Sequence, residues 1–235
     1  MLNEIKQELQ SIADPGRARK CKSYFKTGKG QYAEGDIFIG VGSPKQRELA
    51  KKYKDIPLNE LQELLNSKIH EYRQTALFIM VIKFKKAKKN PLEKRQIFEL
   101  YMKNTSRINN WDLVDCSAPH IVGEFLQKEG AERLKQLAKS ENLWERRIAI
   151  ISTFAFIKNN NFGDTLAISD MLLKDEHDLI HKAVGWGLRE VGKKNKKVLE
   201  LFLMQRYKEM PRTMLRYAIE KFPEDERKKW MAKEK

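Results

Sequence analysis

Four segments of this chain repeat one pattern. They are EYRQTALFIM at 71–80, WERRIAIIST at 144–153, LIHKAVGWGL at 179–188 and MLRYAIEKF at 214–222. Each sets a basic residue one to three positions before an alanine and follows it with an apolar run. The alanines, Ala76, Ala149, Ala183 and Ala218, lie 73, 34 and 35 residues apart, and 73 is close to two periods. A helical unit recurring at this period marks a solenoid, whose core lies between stacked neighbours. The competing reading is an ordinary helical bundle with a coincidental repeat. Apolar spacing predicts helices over 2–12 and 15–26, then near 44–54, 57–66, 69–87, 91–104, 110–127, 131–139, 143–158, 163–173, 177–192, 195–208, 211–221 and 223–233. Pro44, Pro57, Pro91, Pro211 and Pro223 sit near helix starts, with Ser43-Pro44 read as a cap and first-turn pair. Gly28, Gly30, Gly35, Gly40 and Gly42 mark a long loop, and only Ile37, Phe38 and Ile39 have strand character. The expectation is an all-α helical-repeat solenoid forming a single domain over 1–235. Its concave face would present one helix from each repeat.

Charge points to the partner. The 235 residues hold 47 Lys plus Arg against 32 Asp plus Glu, a net charge of +15. Such an excess is the footprint of a polyanion binder, most often of nucleic acid. Basic residues cluster at Lys83, Lys85, Lys86, Lys88, Lys89, Lys94 and Arg95, and again in GKKNKK at 192–197. On the concave face they would cradle a duplex. Two cysteines cannot build a disulfide framework, which points to a reducing compartment. The first residues, MLNEIKQELQSIA, carry charges where a signal peptide needs an apolar run, and no segment reaches the length of a membrane helix. A cytoplasmic, nucleoid-associated monomer is expected, with no membrane partner.

Most candidate chemistry is weak. His177 and His181 stand four apart, but lack the third ligand of a catalytic zinc site and read better as exposed or capping residues. His70 and His120 have no motif partners, and Cys21 and Cys116 read as small buried apolar residues. No Gly-rich loop has phosphate-binding spacing. The segment NNWDLVDCSAPHIVGEFL is less ordinary. Trp111 and Asp115 share a helix face by their spacing, and Asp112 lies one step off it near the helix N-terminus, where the dipole favours a carboxylate. The plain reading makes Trp111 a core residue and Asp112 or Asp115 a cap. LWERRIAI then sets Trp144 three residues before Arg147, and AVGWGLRE sets Trp186 three before Arg189. Three of only four tryptophans thus recur at related places beside Arg or Asp. An indole face attracts a cation, a carboxylate stabilises developing positive charge, and arginine grips phosphate with two donors.

With WDLVD followed by Pro119, LWERRIAI, A-x-G-W-x-L-R-E at 183–190 and SYFKTGKGQYAEGDIFIGV ahead of Ser43-Pro44, the chain resembles the AlkD-like DNA glycosylases of the HEAT-repeat superfamily over nearly its whole length. The resemblance implies hydrolysis of the N-glycosidic bond of cationic N3- or N7-alkylated purines in double-stranded DNA. It implies no cofactor, and action on the sugar from outside without a deep base pocket. Asp115 would be the catalytic carboxylate. Trp111 and Trp186 would flank the deoxyribose, and Arg147 would hold the backbone. Tyr24 matches a tyrosine at a helix end near the lesion, and Arg189 and Lys193 fall at positions of backbone contacts. Some members carry two tryptophans before the aspartate, whereas here Asn110 precedes Trp111. The alternatives are a catalytically silent HEAT-like module that binds DNA, and a protein-binding scaffold. Neither needs a carboxylate within a basic face.

Overall fold

The apolar run at 71–80 becomes the middle of a helix, His70–Lys86, in a computed structural model that describes residues 1–88 and 90–232. Lys89 of the basic cluster lies outside the described residues. The chain divides into two units, Met1–Ile121 and Val122–Lys235. Among the described residues the regular structure is helical, with one parallel bridge, Ile37 to Ile69, where strand character was expected. No helix among them is long and apolar enough to cross a membrane.

In the first unit His70–Lys86 is buried around most of its circumference. It packs against Leu2–Ser11, Ser43–Lys52, Leu58–Leu65, Pro91–Lys103 and Trp111–Asp115. Leu77, Ile79, Met80 and Phe84 are fully buried, each contributing about 1.5–3 kcal/mol by leaving water. The glycine loop runs beside this helix. Ile37 N–H donates to the Lys68 carbonyl (3.0 Å), and His70 N–H donates to the Ile37 carbonyl (2.8 Å). Buried Glu71 accepts from the backbone N–H of Ile39 (3.1 Å) and Gly40 (2.7 Å). Gly40 has φ +85°, and a Cβ there would lie 2.1 Å from the Asp14 carbonyl oxygen, so the turn requires glycine. These bonds carry Asp36 to the foot of the His70–Lys86 helix.

In the second unit Asp178–Lys194 packs against Leu143–Ser152, Lys196–Arg206 and Arg212–Ala218. Helices of successive repeats therefore lie against one another, as a solenoid requires. Ala76, Ala149, Ala183 and Ala218 are all at most 1% exposed. Close approach is sharpest at Gly185, where a Cβ would meet the Tyr217 Cβ at 2.5 Å and the Met214 carbonyl at 2.6 Å.

Two expected helices are broken. The stretch 110–127 divides into Trp111–Asp115, a turn, a π-helical segment Pro119–Gly123 and Glu124–Glu129. Pro119 has no N–H to donate to the Asp115 carbonyl four residues back, and the Leu113 carbonyl accepts from Ser117 Oγ (2.5 Å) while the Ser117 N–H turns to the Val114 carbonyl (3.1 Å). The stretch 143–158 breaks at Thr153, whose hydroxyl donates to the Ile150 carbonyl (2.7 Å). Ser43 is the first helical residue rather than the cap, which is Gly42.

Candidate active site

Trp111 opens its helix because the fully buried Asn110 caps it, its Oδ1 accepting the Trp111 N–H at 2.9 Å. The indole is half-buried and stacks on Phe25, with centroids 5.4 Å apart and planes at 20°. Tyr24, the last residue of Pro15–Tyr24, is 65% exposed and meets Trp111 edge-on at 6.0 Å. The stack continues inward from Phe25 to Phe38 (5.0 Å, 14°) and from Phe38 to His70 (4.5 Å, 24°). Asp115 closes the five-residue helix, partly exposed and one turn from Trp111. The π-helical segment begins four residues later, a distortion frequent near functional sites.

Beneath the stack lies a buried polar network. His70 reaches Asp112 Oδ2 through Nε2 (2.9 Å) and Asp36 Oδ2 through Nδ1 (3.4 Å). Gln74 Nε2 donates to the same Asp112 oxygen (2.7 Å). Arg73 donates to Asp36 Oδ1 (2.8 Å) and to Asn109 Oδ1 (3.0 Å). Burial alone would lower the His70 pKa, but the Asp112 and Asp36 carboxylates outweigh it and raise the value. Burial acts against Asp36 too, and there the His70 and Arg73 contacts win and hold its carboxyl below the usual range.

The second unit holds the other candidates. Trp186 is half-buried, edge-on to Phe154 (4.7 Å, 86°), and its Nε1 donates to Glu190 Oε1 (3.1 Å). Lys193 donates to that same oxygen (2.7 Å), so Glu190 fixes the indole and engages an expected phosphate contact. Arg189 Nη1 pairs with Glu220, and its Nε lies within ion-pair distance of Glu190 (3.5 Å) without hydrogen-bond geometry. Arg147 is only 5% exposed, and its Nη1 donates to the Leu179 carbonyl (2.7 Å). Trp144 is buried at 6% and belongs to the core.

The sequence matches the DNA alkylation repair enzyme family over residues 5–222. The chain belongs to this family. Among solved structures it is similar to a predicted DNA alkylation repair enzyme from Enterococcus faecalis, with TM-score 0.68 and 18% identity over 90% of this chain and 97% of that one. It is similar to AlkD2 from Streptococcus mutans, with TM-score 0.54 and 19% identity over 90% and 97%. It also resembles smu.31 from Streptococcus mutans UA159, with TM-score 0.53 and 19% identity over 81% and 91%. These likenesses carry the helical-repeat fold. No curated protein matches the chain.

Within this member of the DNA alkylation repair family, His70, Cys21 and Cys116 depart from expectation, and His177 keeps the capping role read for it. His70 has two carboxylate partners, 34 and 42 residues away in sequence. His177 is the cap of Asp178–Lys194, its Nδ1 accepting the Leu179 N–H (3.1 Å). Among the described residues, no cluster of three or more His, Cys, Asp or Glu is arranged to hold a metal. Cys21 and Cys116 are free and only partly buried as residues, although burial pushes the Cys116 thiol well up.

The raised His70 value has a measurable consequence. Its contribution to stability is fully present below the ordinary value of 6.5 and is lost as pH rises through the folded value. The melting-temperature gap between wild type and His70→Gln is therefore expected to be widest in mild acid and to shrink toward alkaline pH. A gap that stays constant or widens with pH would contradict the raised value.

Proposed function

We propose that the chain is a DNA glycosylase that hydrolyses the N-glycosidic bond of cationic N3- and N7-alkylated purines in duplex DNA, beginning base excision repair. One observation carries this reading beyond the family assignment. Of the four tryptophans, Trp144 and Trp230 are buried at 6% and 9%, while Trp111 and Trp186 are half-buried and each held in place from behind. Core packing explains the first pair. The second pair stays partly exposed, and an indole within reach of solvent suits a cationic sugar.

An alkylated purine already carries positive charge, so its departure needs no general acid. Breaking the bond builds oxocarbenium character on the deoxyribose. Asp115 stabilises that charge and orients the attacking water. Trp111 and Trp186 present electron-rich faces to the sugar. Arg147, anchored at the Leu179 carbonyl, steadies the backbone, and Tyr24, Arg189 and Lys193 add contacts to the DNA. For Arg189 and Lys193, phosphate has to compete with Glu220 and Glu190. We take both units to act as one HEAT-like domain over 1–235, as a cytoplasmic, nucleoid-associated monomer without a cofactor.

The test is release of base from a duplex bearing one N7-methylguanine. Release by the wild-type protein supports the glycosylase reading, and tight binding without release supports the silent DNA-binding alternative. Duplex affinity is expected to fall steeply with salt, roughly 0.9 in log K per log salt for each phosphate neutralised, because counterions return to the DNA. Arg147→Ala is expected to weaken binding and excision together. Affinity that does not change between low and physiological salt would remove charge as the basis of binding.

A further inference from the structure

We propose that His70 is a positioning residue that fixes the Trp111 indole by two routes, one through the aromatic stack and one through Asp112. The proposal rests on the glycosylase reading for its functional consequence, and on geometry for the coupling itself.

The first route is packing. His70 stacks on Phe38, Phe38 on Phe25 and Phe25 on Trp111, all at interplanar angles of 24° or less. Moving the imidazole moves the floor on which the indole rests. The second route runs through a hydrogen bond and the backbone. Asp112 follows Trp111 in the first turn of the same short helix, and its Oδ2 is held by His70 Nε2 (2.9 Å) and Gln74 Nε2 (2.7 Å). A five-residue helix has little stability of its own, so its first turn depends on such anchors.

Both His70 nitrogens face carboxylate oxygens, and only the protonated ring has two N–H groups to give them. The charged groups facing it are Asp36 from the glycine loop, Asp112 from the Trp111 helix and Arg73 from its own helix. Two carboxylates therefore meet two cations, a balanced set that withstands burial. Removing one partner leaves the others uncompensated and free to shift the helix start.

The charge of His70 also makes the proposal testable against a simpler view. Under an aromatic wall that meets developing positive charge, a buried cation is unfavourable by electrostatics alone. If His70 acted only through its field, neutralising it would accelerate excision. If it acts by positioning, neutralising it slows excision, because small misplacements near a reacting centre cost orders of magnitude in rate.

The experiment uses full-length protein labelled with 5-fluorotryptophan, with the Trp111 fluorine resonance assigned by Trp111→Phe. His70→Gln is expected to shift or broaden the Trp111 resonance while those of Trp144 and Trp230 stay in place. Single-turnover release of N7-methylguanine is expected to slow about tenfold or more, with duplex affinity within about twofold of wild type. In the wild type the Trp111 resonance should also follow a titration that is absent in His70→Gln. An unmoved Trp111 resonance, or excision that is unchanged or faster, overturns the proposal. If His70→Gln does not fold, Asp112→Ala removes the acceptor and cuts the second route from its less buried side, and it must give the same signature or the proposal fails. If the wild-type protein releases no base, the glycosylase reading falls, while the fluorine spectra still decide whether His70 positions Trp111.

Discussion

Asp115→Asn is expected to abolish most base release, by about 10²–10³-fold or roughly 3–4 kcal/mol of transition-state stabilisation, while folding and duplex binding stay intact. The substitution keeps the shape of the side chain and removes the charge that, on the proposed glycosylase reading, faces the oxocarbenium ion. Asp115 is partly exposed at the end of a five-residue helix, so the change does not strand a charge in the core. Single-turnover release from a duplex with one N7-methylguanine measures the loss, with melting temperature and duplex affinity as controls. Wild-type rates in Asp115→Asn would defeat the assignment and turn attention to Asp112, three residues earlier on the same helix. Loss of binding together with activity would instead assign Asp115 to the DNA interface. The result also separates an enzyme from a module that only binds, since binding to a polyanion gains nothing from a carboxylate.

The helical-repeat fold was legible because its signal is periodic. A buried alanine ahead of an apolar run recurs where one helix packs on the next, and Ala149, Ala183 and Ala218 do lie where successive helices meet. Helix breaks were harder to read. The spacing of 110–127 is amphipathic throughout, and only the missing N–H of Pro119 and the Ser117 hydroxyl decide that Asp115 ends a helix. The dipole argument therefore holds for Asp112 in the first turn and does not extend to Asp115. The tryptophans illustrate another limit. Trp111, Trp144 and Trp186 look equivalent by spacing, yet Trp144 is core and the other two stay partly exposed. The neighbours that decide this, Phe25 for Trp111 and Phe154 with Glu190 for Trp186, cannot be read from the tryptophan spacing, although Phe25 lies in the stretch at 23–41 and Glu190 in the motif at 183–190. The His70 network was invisible for a related reason. Asp36 reaches His70 only because the glycine loop is tied to the helix start at Ile37, a long-range fact that no local spacing records.

Rate is expected to follow how readily the base departs, and this separates a sugar-directed mechanism from base recognition. Cationic N3- and N7-alkylpurines leave without being protonated, so they should be excised, and enlarging the alkyl group should cost little where the base itself is not enclosed. Uracil and hypoxanthine are neutral, and their departure needs a proton or strong hydrogen bonds to the leaving base, work that the assigned residues do not perform. They are expected to be released far more slowly than N7-methylguanine from matched duplexes. Trp111→Ala and Trp186→Ala should each slow the cationic lesions by about 1–2 kcal/mol, since a desolvated cation–π contact is lost. Glu190→Gln offers a milder version of the second change. It frees Lys193 from its carboxylate and weakens the hold on the Trp186 indole, so excision should drop even where binding improves. Single-turnover release across the lesion series measures all of these together. Efficient removal of uracil combined with rejection of bulky cationic adducts would reveal a pocket that reads the base, and a mechanism built on Asp115 and two partly exposed tryptophans would not survive it.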